Sequence, residues 1–466
     1  MSARNLDEAI QAAGNAVKML RNSQLGPYVY PVVPSEFTNW RDEQRAWKET
    51  CVLFNQSYHM ADMWIEGPDA IKLLSATGIN SFENFPVNKA KQFVGCNHDG
   101  YVIGDAILFH LAKDQLLLVG RPSIHNWVQY HAEKDGYKVS LHRDERSIAR
   151  DVPIVRRLYR YQIQGPNAPQ VLNKLNGGAV PEIKFFNMGE ITIAGRKVRA
   201  LRHGMAGAPG LEIWGPHEER EEIRAAIVEA GEEFGLRQVG ARAYATNTLE
   251  SGWIPSPMPA VYSGEKMKAY RQWLPGRGYE ATASLGGSFY SDNVEDYYLT
   301  PWDLGYGFMV KFDHDFTGRA ALETIGKNPR RKKVTLAWNA DDVTRVIGSL
   351  FQRDQDVYKA IDLPLTNYAS LSYDKVLKNG KMVGLSTFSS YSYNERSMLS
   401  LGILDAEYSE VGTEVTLVWG EEGGGSSKPT VERHRQTEIR ATVGPVPYGQ
   451  LARAGYAEGW RTTVQK

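Results

Sequence analysis

The chain has 466 residues, of which 42% are hydrophobic, 11% aromatic and 23% charged, an ordinary globular composition long enough for several packed layers. Lys plus Arg and Asp plus Glu both total 54, so the formal net charge is zero, which argues against a nucleic-acid binder with its basic excess or stripe. Two cysteines, Cys51 and Cys96, are too few for a disulfide framework or a zinc knuckle and fit a reducing, cytoplasmic setting.

Residues 1–5 lack a continuous apolar core, so no signal peptide is expected, and no apolar run approaches the ~20 residues of a membrane span. After an apolar run comes Asn55-Gln56-Ser57-Tyr58-His59, a dense polar stretch that fits a plain turn or a site loop. Residues 63–66 then read as a strand, Gly67-Pro68 as a sharp turn and 69–74 as an amphipathic helix. The same grammar recurs around Gly165-Pro166 and around Gly215-Pro216, where a longer helix runs from about His217 to Phe234. Gly frees the turn and Pro presets the first helical turn. In that third helix Ile223, Ile227, Ala230 and Phe234 share one stripe. A repeated strand–turn–helix unit implies α+β modules with helices covering one face of a sheet.

Residues 101–111, 116–119 and 190–201 read as strands, with hairpin tips at Asp114-Gln115 and Ala194-Gly195-Arg196. Asp105 falls within this sheet region, and a carboxylate there needs a partner or a task. Arg121 follows the apolar run 116–119, either as a snorkelling surface residue or as a fork for a ligand carboxylate. Glu212 stands in Gly210-Leu211-Glu212-Ile213-Trp214. It lies either on a wet face or buried, where it could accept paired hydrogen bonds from an aminopyrimidine ring. Residues 244–254 read as a helix ending at Ser251-Gly252, after which Trp253 can face a flat ligand. Eleven Trp and 24 Tyr are enough to line an aromatic pocket.

Arg330-Arg331-Lys332-Lys333 reads as a solvated connector. Beyond it the chain turns strand-rich, at 333–338, 371–377, 381–387, 414–418 and 438–443. Asn379-Gly380 marks a two-residue hairpin, and 421–428, with Gly423-Gly424-Gly425-Ser426-Ser427, reads as a flexible loop tip. The reading is an α+β body over 1–325 and a C-terminal β-barrel or sandwich over 326–466. A Gly-x-Ser-x-Gly elbow, a phosphate loop and a His-Glu-x-x-His helix are all missing, and none of the ten histidines forms a close-spaced metal pair, so metal chemistry is not expected. Composition and spacing stop there, with an aromatic pocket and no defined reaction.

The order of these pieces resembles the folate-dependent aminomethyltransferase (glycine cleavage T-protein) superfamily, from about Gly26 to Gly444. The matching pieces are Glu36 and Arg41 ahead of Phe54 and Ser57, Gly67-Pro68-Asp69-Ala70, Asp99-Gly100 with Asp105, and Gln164-Gly165-Pro166. They continue with Gly210-Leu211-Glu212-Ile213, Gly240-Ala241-Arg242, Leu249-Glu250-Ser251-Gly252, Phe308-Met309-Val310-Lys311, Asp315-Phe316-Thr317-Gly318-Arg319 and Val383-Gly384-Leu385-Ser386-Thr387. Within the superfamily, Gln56 with His59, Arg121 and Tyr244 look most like the tetrahydrofolate-dependent aryl O-demethylases of vanillate, 3-O-methylgallate or syringate. The chain departs from the T-protein pattern at Gly104-Asp105, where a double Asp is usual, and at 203–208.

The resemblance implies a three-module ring, two related α+β halves and a C-terminal barrel-like domain around a central hole. It implies methyl transfer from a methoxybenzoate, vanillate or 3-O-methylgallate first and syringate as the alternative, to N5 of tetrahydrofolate, in lignin-derived aromatic catabolism. Tyr244 and then His59 would serve the departing oxygen, while Arg121, Gln56 and Tyr58 would hold the aromatic acid. Glu212, Trp253, Gln164 and Asp105 would hold the folate. Neither a metal, a membrane, a nucleic acid nor an obligate protein partner is expected. Glycine-cleavage aminomethyl transfer and sulfonium (dimethylsulfoniopropionate-type) demethylation stay open. A folate-binding iron–sulfur assembly factor would carry a Cys in the stretch that reads Glu250-Ser251-Gly252-Trp253 here.

Overall fold

Strand alternation decides where the side chains of this protein go. The computed structural model describes residues 3–28, 30–147, 154–255 and 257–460. A five-stranded sheet runs in the order Ala90–Cys96, Val102–Ala112, Gln115–Gly120, Ala61–Glu66, Ser140–Asp144. A six-stranded sheet runs Leu236–Gln238, Cys51–Asn55, Leu158–Gln164, Gly210–Pro216, Arg196–Arg202, Met188–Ile193. The two interleave, because Cys51–Asn55 precedes the whole first sheet yet pairs antiparallel with Leu158–Gln164 and parallel with Leu236–Gln238.

One residue parity on each strand packs under helices. Met63, Ile65, Leu108, Leu116 and Leu118 join Leu73, Leu74, Ile124 and Trp127 on one sheet; Tyr161, Ile163 and Ile213 join Val171, Leu172, Ile223 and Ile227 on the other. The opposite parity meets between the sheets, where Trp64, Phe109, Leu117, Leu201 and Trp214 form their own buried cluster. Burying each such large side chain stabilises the fold by about 1.5–3 kcal/mol. Asp105 shares its parity with Phe109, and Glu212 with Trp214, so both carboxylates point into this inter-sheet layer.

The third module is a closed barrel of Arg331–Trp338, Ser397–Asp405, Lys381–Ser392, Asp374–Lys378, Glu414–Trp419 and Thr437–Gly444. A short parallel pair, Leu285–Gly286 with Leu371–Ser372, ties it to the body. The mixed helix-and-strand body and the barrel agree with the fold read from the sequence. All three strand–turn–helix units form, but Pro68 and Pro166 lie in the turn, ahead of Asp69 and Asn167 at the helix caps. Asn379 and Gly380 sit at φ 51° and 75° between two barrel strands, as their pairing chemistry requires.

Several local readings are corrected. The hairpin tip lies at Lys113-Asp114, with Asp114 at φ 56°, while Gln115 already pairs in the strand. Residues 371–377 divide into Leu371–Ser372 and Asp374–Lys378, which belong to different sheets. Arg331 and Lys333 are part of a barrel strand, not a solvated connector; Arg331 pairs with Asp303 at 2.8 Å, and Lys333 lies over the Tyr306 ring at 5.9 Å. Residues 421–428 are anchored rather than a loose tip, since buried Glu421 takes Lys359 at 3.0 Å and His434 at 3.3 Å. The strand Ser397–Asp405 had no distinct sequence signal. Among the described residues no helix is long and apolar enough to cross a membrane.

Candidate active site

Between the two sheets and the chain's C-terminal segment lies a cavity of ≈ 320 Å³. Its acidic wall comes from the inter-sheet parity. Asp105 Oδ2 accepts three hydrogen bonds, from Gln92 Nε2 at 2.7 Å, Trp253 Nε1 at 3.0 Å and Tyr306 Oη at 3.1 Å. Burial nevertheless raises the Asp105 carboxyl above its ordinary range, against those donors and the Arg121 charge. Glu212 accepts from Arg160 Nη1 at 2.7 Å. Its carboxyl too is raised by burial, with Arg160 pulling it down and Asp62 adding to the rise. The Arg160 guanidinium lies 5.0 Å from the Phe109 ring centre and 5.6 Å from that of Trp214.

A second wall holds His59 and Arg121, and His59 packs against the rings of Tyr30 and Tyr244. Tyr244, on the helix Ala241–Tyr244, brings Oη to 3.4 Å from His59 Nε2. The Tyr30 ring lies against Tyr244 with centroids 4.1 Å apart, and Phe54 meets it edge-on at 5.1 Å. Burial and the neighbouring Tyr30 hold the Tyr244 phenol well above its usual range. Burial, then the Arg121 charge, pushes His59 down to about 3. At neutral pH the pair is therefore a neutral phenol beside a neutral imidazole. Gln56 Nε2 contacts Met205 Sδ on the same wall.

Arg121 stands at the N-cap of the helix Pro122–Lys134 but makes no side-chain cap bond there. Its Nε is buried without a hydrogen-bond partner among the described residues, an arrangement that costs stability unless a ligand completes it.

Of the residues singled out in the sequence, Gln56, His59, Asp105, Arg121, Glu212 and Trp253 line this one cavity, and Tyr244 reaches it through His59. Two do not. Tyr58 turns away, its Oη 2.8 Å from Nε2 of His217. Gln164 is fully buried and spent on the loop at 203–208: Nε2 donates to Ala208 O at 2.7 Å, and Oε1 accepts from Met205 N at 2.9 Å and Ala206 N at 3.2 Å. The sequence reading missed Arg160, Gln92, Tyr30, Tyr306 and Tyr456. For Arg160 a signal existed, a charge within the aromatic strand Leu158–Gln164, the same signal that drew attention to Glu212. Among the described residues no group of three or more His, Cys, Asp or Glu side chains is placed to hold a metal ion.

A folded pair of α+β sheets with a barrel, enclosing a cavity lined by two carboxylates, defines a class that comparison with known proteins identifies. Residues 10–256 match the GCVT N-terminal domain family, and the chain belongs to that family. It is 52% identical over 460 residues to syringate O-demethylase of Sphingobium sp. (strain NBRC 103272 / SYK-6), covering 99% of both chains. It is 31% identical to sesamin methylene transferase of Sinomonas sp. (strain No.22), covering 90% of this chain and 91% of that one. Aminomethyltransferase of Clostridium botulinum (strain Kyoto / Type A2) is 26% identical, with 83% of this chain and 86% of that one covered. The crystal structure of the glycine cleavage system aminomethyltransferase T from Bartonella henselae shares the fold, with a TM-score of 0.59 at 18% identity over 91% of this chain and 92% of that one. The chain is an enzyme of this family of one-carbon transferases.

Proposed function

We propose that the protein is a tetrahydrofolate-dependent O-demethylase that moves the methyl group of a methoxybenzoate to N5 of tetrahydrofolate and releases a catechol. Syringate heads the substrates because the 52% relative carries that name, with vanillate and 3-O-methylgallate as the other members of the class. The reaction needs two small molecules and no partner protein, in a cytoplasmic setting. The observation that carries the reading is that Arg121, whose buried Nε has no partner among the described residues, shares one cavity with His59, the neutral imidazole whose Nε2 lies 3.4 Å from Tyr244 Oη.

The acidic wall fits a pterin. Glu212 has one oxygen held by Arg160 and the other left to accept from a ring N–H, while Trp253 offers an indole face beside Asp105. Glu212, Trp253 and Asp105 would hold the folate. Tetrahydrofolate, when bound, would supply the nucleophilic nitrogen that an aryl methyl ether requires, and the proton lost from N5 on methylation would balance the phenolate to give the catechol. This chain's part is to position and to neutralise charge. Arg121 binds the carboxylate of the aromatic acid through its fork, and Gln56 contacts a ring oxygen. Tyr244, which stays protonated across any working pH, donates a hydrogen bond to the ether oxygen as it becomes a phenolate. Positioned proton donors of this kind contribute about 10²–10⁴-fold. His59, neutral, orients that phenol. Fixed alignment of the reacting groups supplies the larger share of rate in such transfers.

The test is an anaerobic incubation of purified protein with tetrahydrofolate and syringate, following 3-O-methylgallate and 5-methyltetrahydrofolate by chromatography. Equal amounts of both are expected. Neither product from syringate, vanillate or 3-O-methylgallate would overturn the reading and turn attention to sulfonium and glycine-cleavage donors.

A further inference from the structure

Arg121 lines not one cavity but two. Behind it lies a second, smaller chamber of ≈ 60 Å³, walled by Tyr28 and Tyr30 from the N-terminal segment and by Leu365, Ser372 and Phe388 from the barrel side. Arg121 is the one charged residue among those described in its lining. In this lining Tyr28 is half-buried and carries a second guanidinium, Arg146, 4.3 Å from its ring centre. An anion in this chamber meets Arg121, with the Arg146 charge held against one of its walls, Tyr28. The main cavity sets Asp105 and Glu212 beside Arg121 and Arg160, so its lining has no such positive excess.

We infer that the smaller chamber is the entry passage of the aromatic acid, so that the acid and the folate approach the cavity from different sides. This deepens the proposed O-demethylase reading and rests on it. The guanidinium that would hold the carboxylate also lines the main cavity, so the chamber serves as a route and not a second binding site, and the ring passes edge-on between Tyr28 and Phe388 as their side chains turn. A separate door matters because a bound folate occupies the main cavity, and the smaller ligand must still reach Arg121. Guanidinium groups along a low-dielectric path raise the on-rate of an anion.

A route and a site differ in what a block does. Blocking a route slows association and dissociation together and leaves Kd unchanged; filling a site changes Kd. The experiment is stopped-flow binding of syringate to protein preloaded with folic acid, followed by tryptophan fluorescence, in wild type and in two independent plugs, Ser372→Phe and Leu365→Trp. Thermal melting checks that each variant is folded. The expected result is a fall of tenfold or more in both rate constants at constant Kd in at least one folded plug. Arg146→Ser should lower the association rate several-fold and flatten its dependence on salt. Unchanged rates in both folded plugs, or a changed Kd with an unchanged association rate, would overturn the passage. Failure of syringate to bind the wild type would instead sink the O-demethylase reading itself.

Discussion

Arg160 and Glu212 meet at 2.7 Å inside the cavity, on neighbouring strands and one diagonal step apart, since Arg160 pairs in register with Trp214. The guanidinium also faces Asp62 at 3.6 Å, and Asp62 is held by Arg156 at 2.9 Å. Two buried cations thus alternate with two buried anions. Each ion depends on its neighbours, because an unpaired buried charge is far costlier than the pair is favourable. Glu212 is therefore a fixed acceptor, oriented before any ligand arrives.

Replacing Arg160 with Met should cost about 3–5 kcal/mol of stability, the usual penalty for orphaning a buried charge. Glu212→Gln keeps the shape and should cost less, while weakening tetrahydrofolate binding more clearly. Thermal melts and a fluorescence titration with tetrahydrofolate separate the two effects. A stable Arg160→Met protein with normal folate affinity would show that the pair does not organise this wall.

Tyr244→Phe removes only the hydroxyl from a ring packed between Tyr30 and Phe54. Turnover should fall by about 10²–10⁴-fold, with the Kd for tetrahydrofolate unchanged. Equal turnover in the variant would remove Tyr244 from its proposed role at the ether oxygen.

Truncating Arg121 to Ala should raise KM for the methoxybenzoate. Hydrogen bonds to a charged group contribute about 1.5–3 kcal/mol, or roughly 10–150-fold. The helix that begins at Pro122 should be unharmed, since Arg121 gives it no side-chain cap bond. An unaltered KM would break the carboxylate assignment.

Much of this site was legible because strand parity is. A carboxylate in the run 210–214 and another at 105 had to choose a face, and the aromatic neighbours of like parity, Trp214 and Phe109, show which face is inter-sheet. Gln164 has that parity as well, but its amide is consumed by the loop at 203–208, a contact that depends on a tertiary turn. Tyr30 and Tyr306 arrive from segments without periodicity, so no sequence pattern could place them against Tyr244 and Asp105. The Gly/Ser run at 421–428 misled for a related reason: Lys359 and Glu421, distant in sequence, form the ion pair that fixes it. Local grammar sets elements and faces, while irregular segments are placed by partners far along the chain.

Stability should depend on acid through His59. Its ordinary value is 6.5, and in the fold it is about 3. Between those values the unfolded chain binds the extra proton, so this contribution is complete above 6.5 and is lost as pH falls toward 3. His125, pushed by burial to about 4, acts in the same direction, whereas Glu250, raised to about 7, acts in the opposite one. The comparison is thus between variant and wild type: His59→Gln should make the fall in Tm on acidification shallower across that window. Identical slopes would mean that His59 is not held neutral by the fold.

The last wall of the cavity is the chain's own C-terminal helix, Leu451–Trp460. Pro447, Tyr456 and Ala457 line the cavity, and Tyr456 Oη donates to Gly204 O at 3.2 Å. Contact this close requires glycine on the facing loop. A Cβ at Gly207, where φ is 66°, would lie 2.5 Å from the Cβ of Ala452, and one at Gly204 would lie 2.8 Å from Tyr456 Oη. Gly207→Val adds left-handed backbone strain of about 1–2 kcal/mol to that overlap. The cheapest relief is to push the terminal helix outward, which opens the cavity on one side. Folate affinity should fall about tenfold, the equivalent of ~1.4 kcal/mol, and limited proteolysis should clip the C-terminal segment sooner. Removing the segment after Gly449 should reproduce the loss of affinity without the strain. Normal folate affinity in both a folded Gly207→Val protein and the truncated one would show that this helix covers the cavity without contributing to the binding of its ligand.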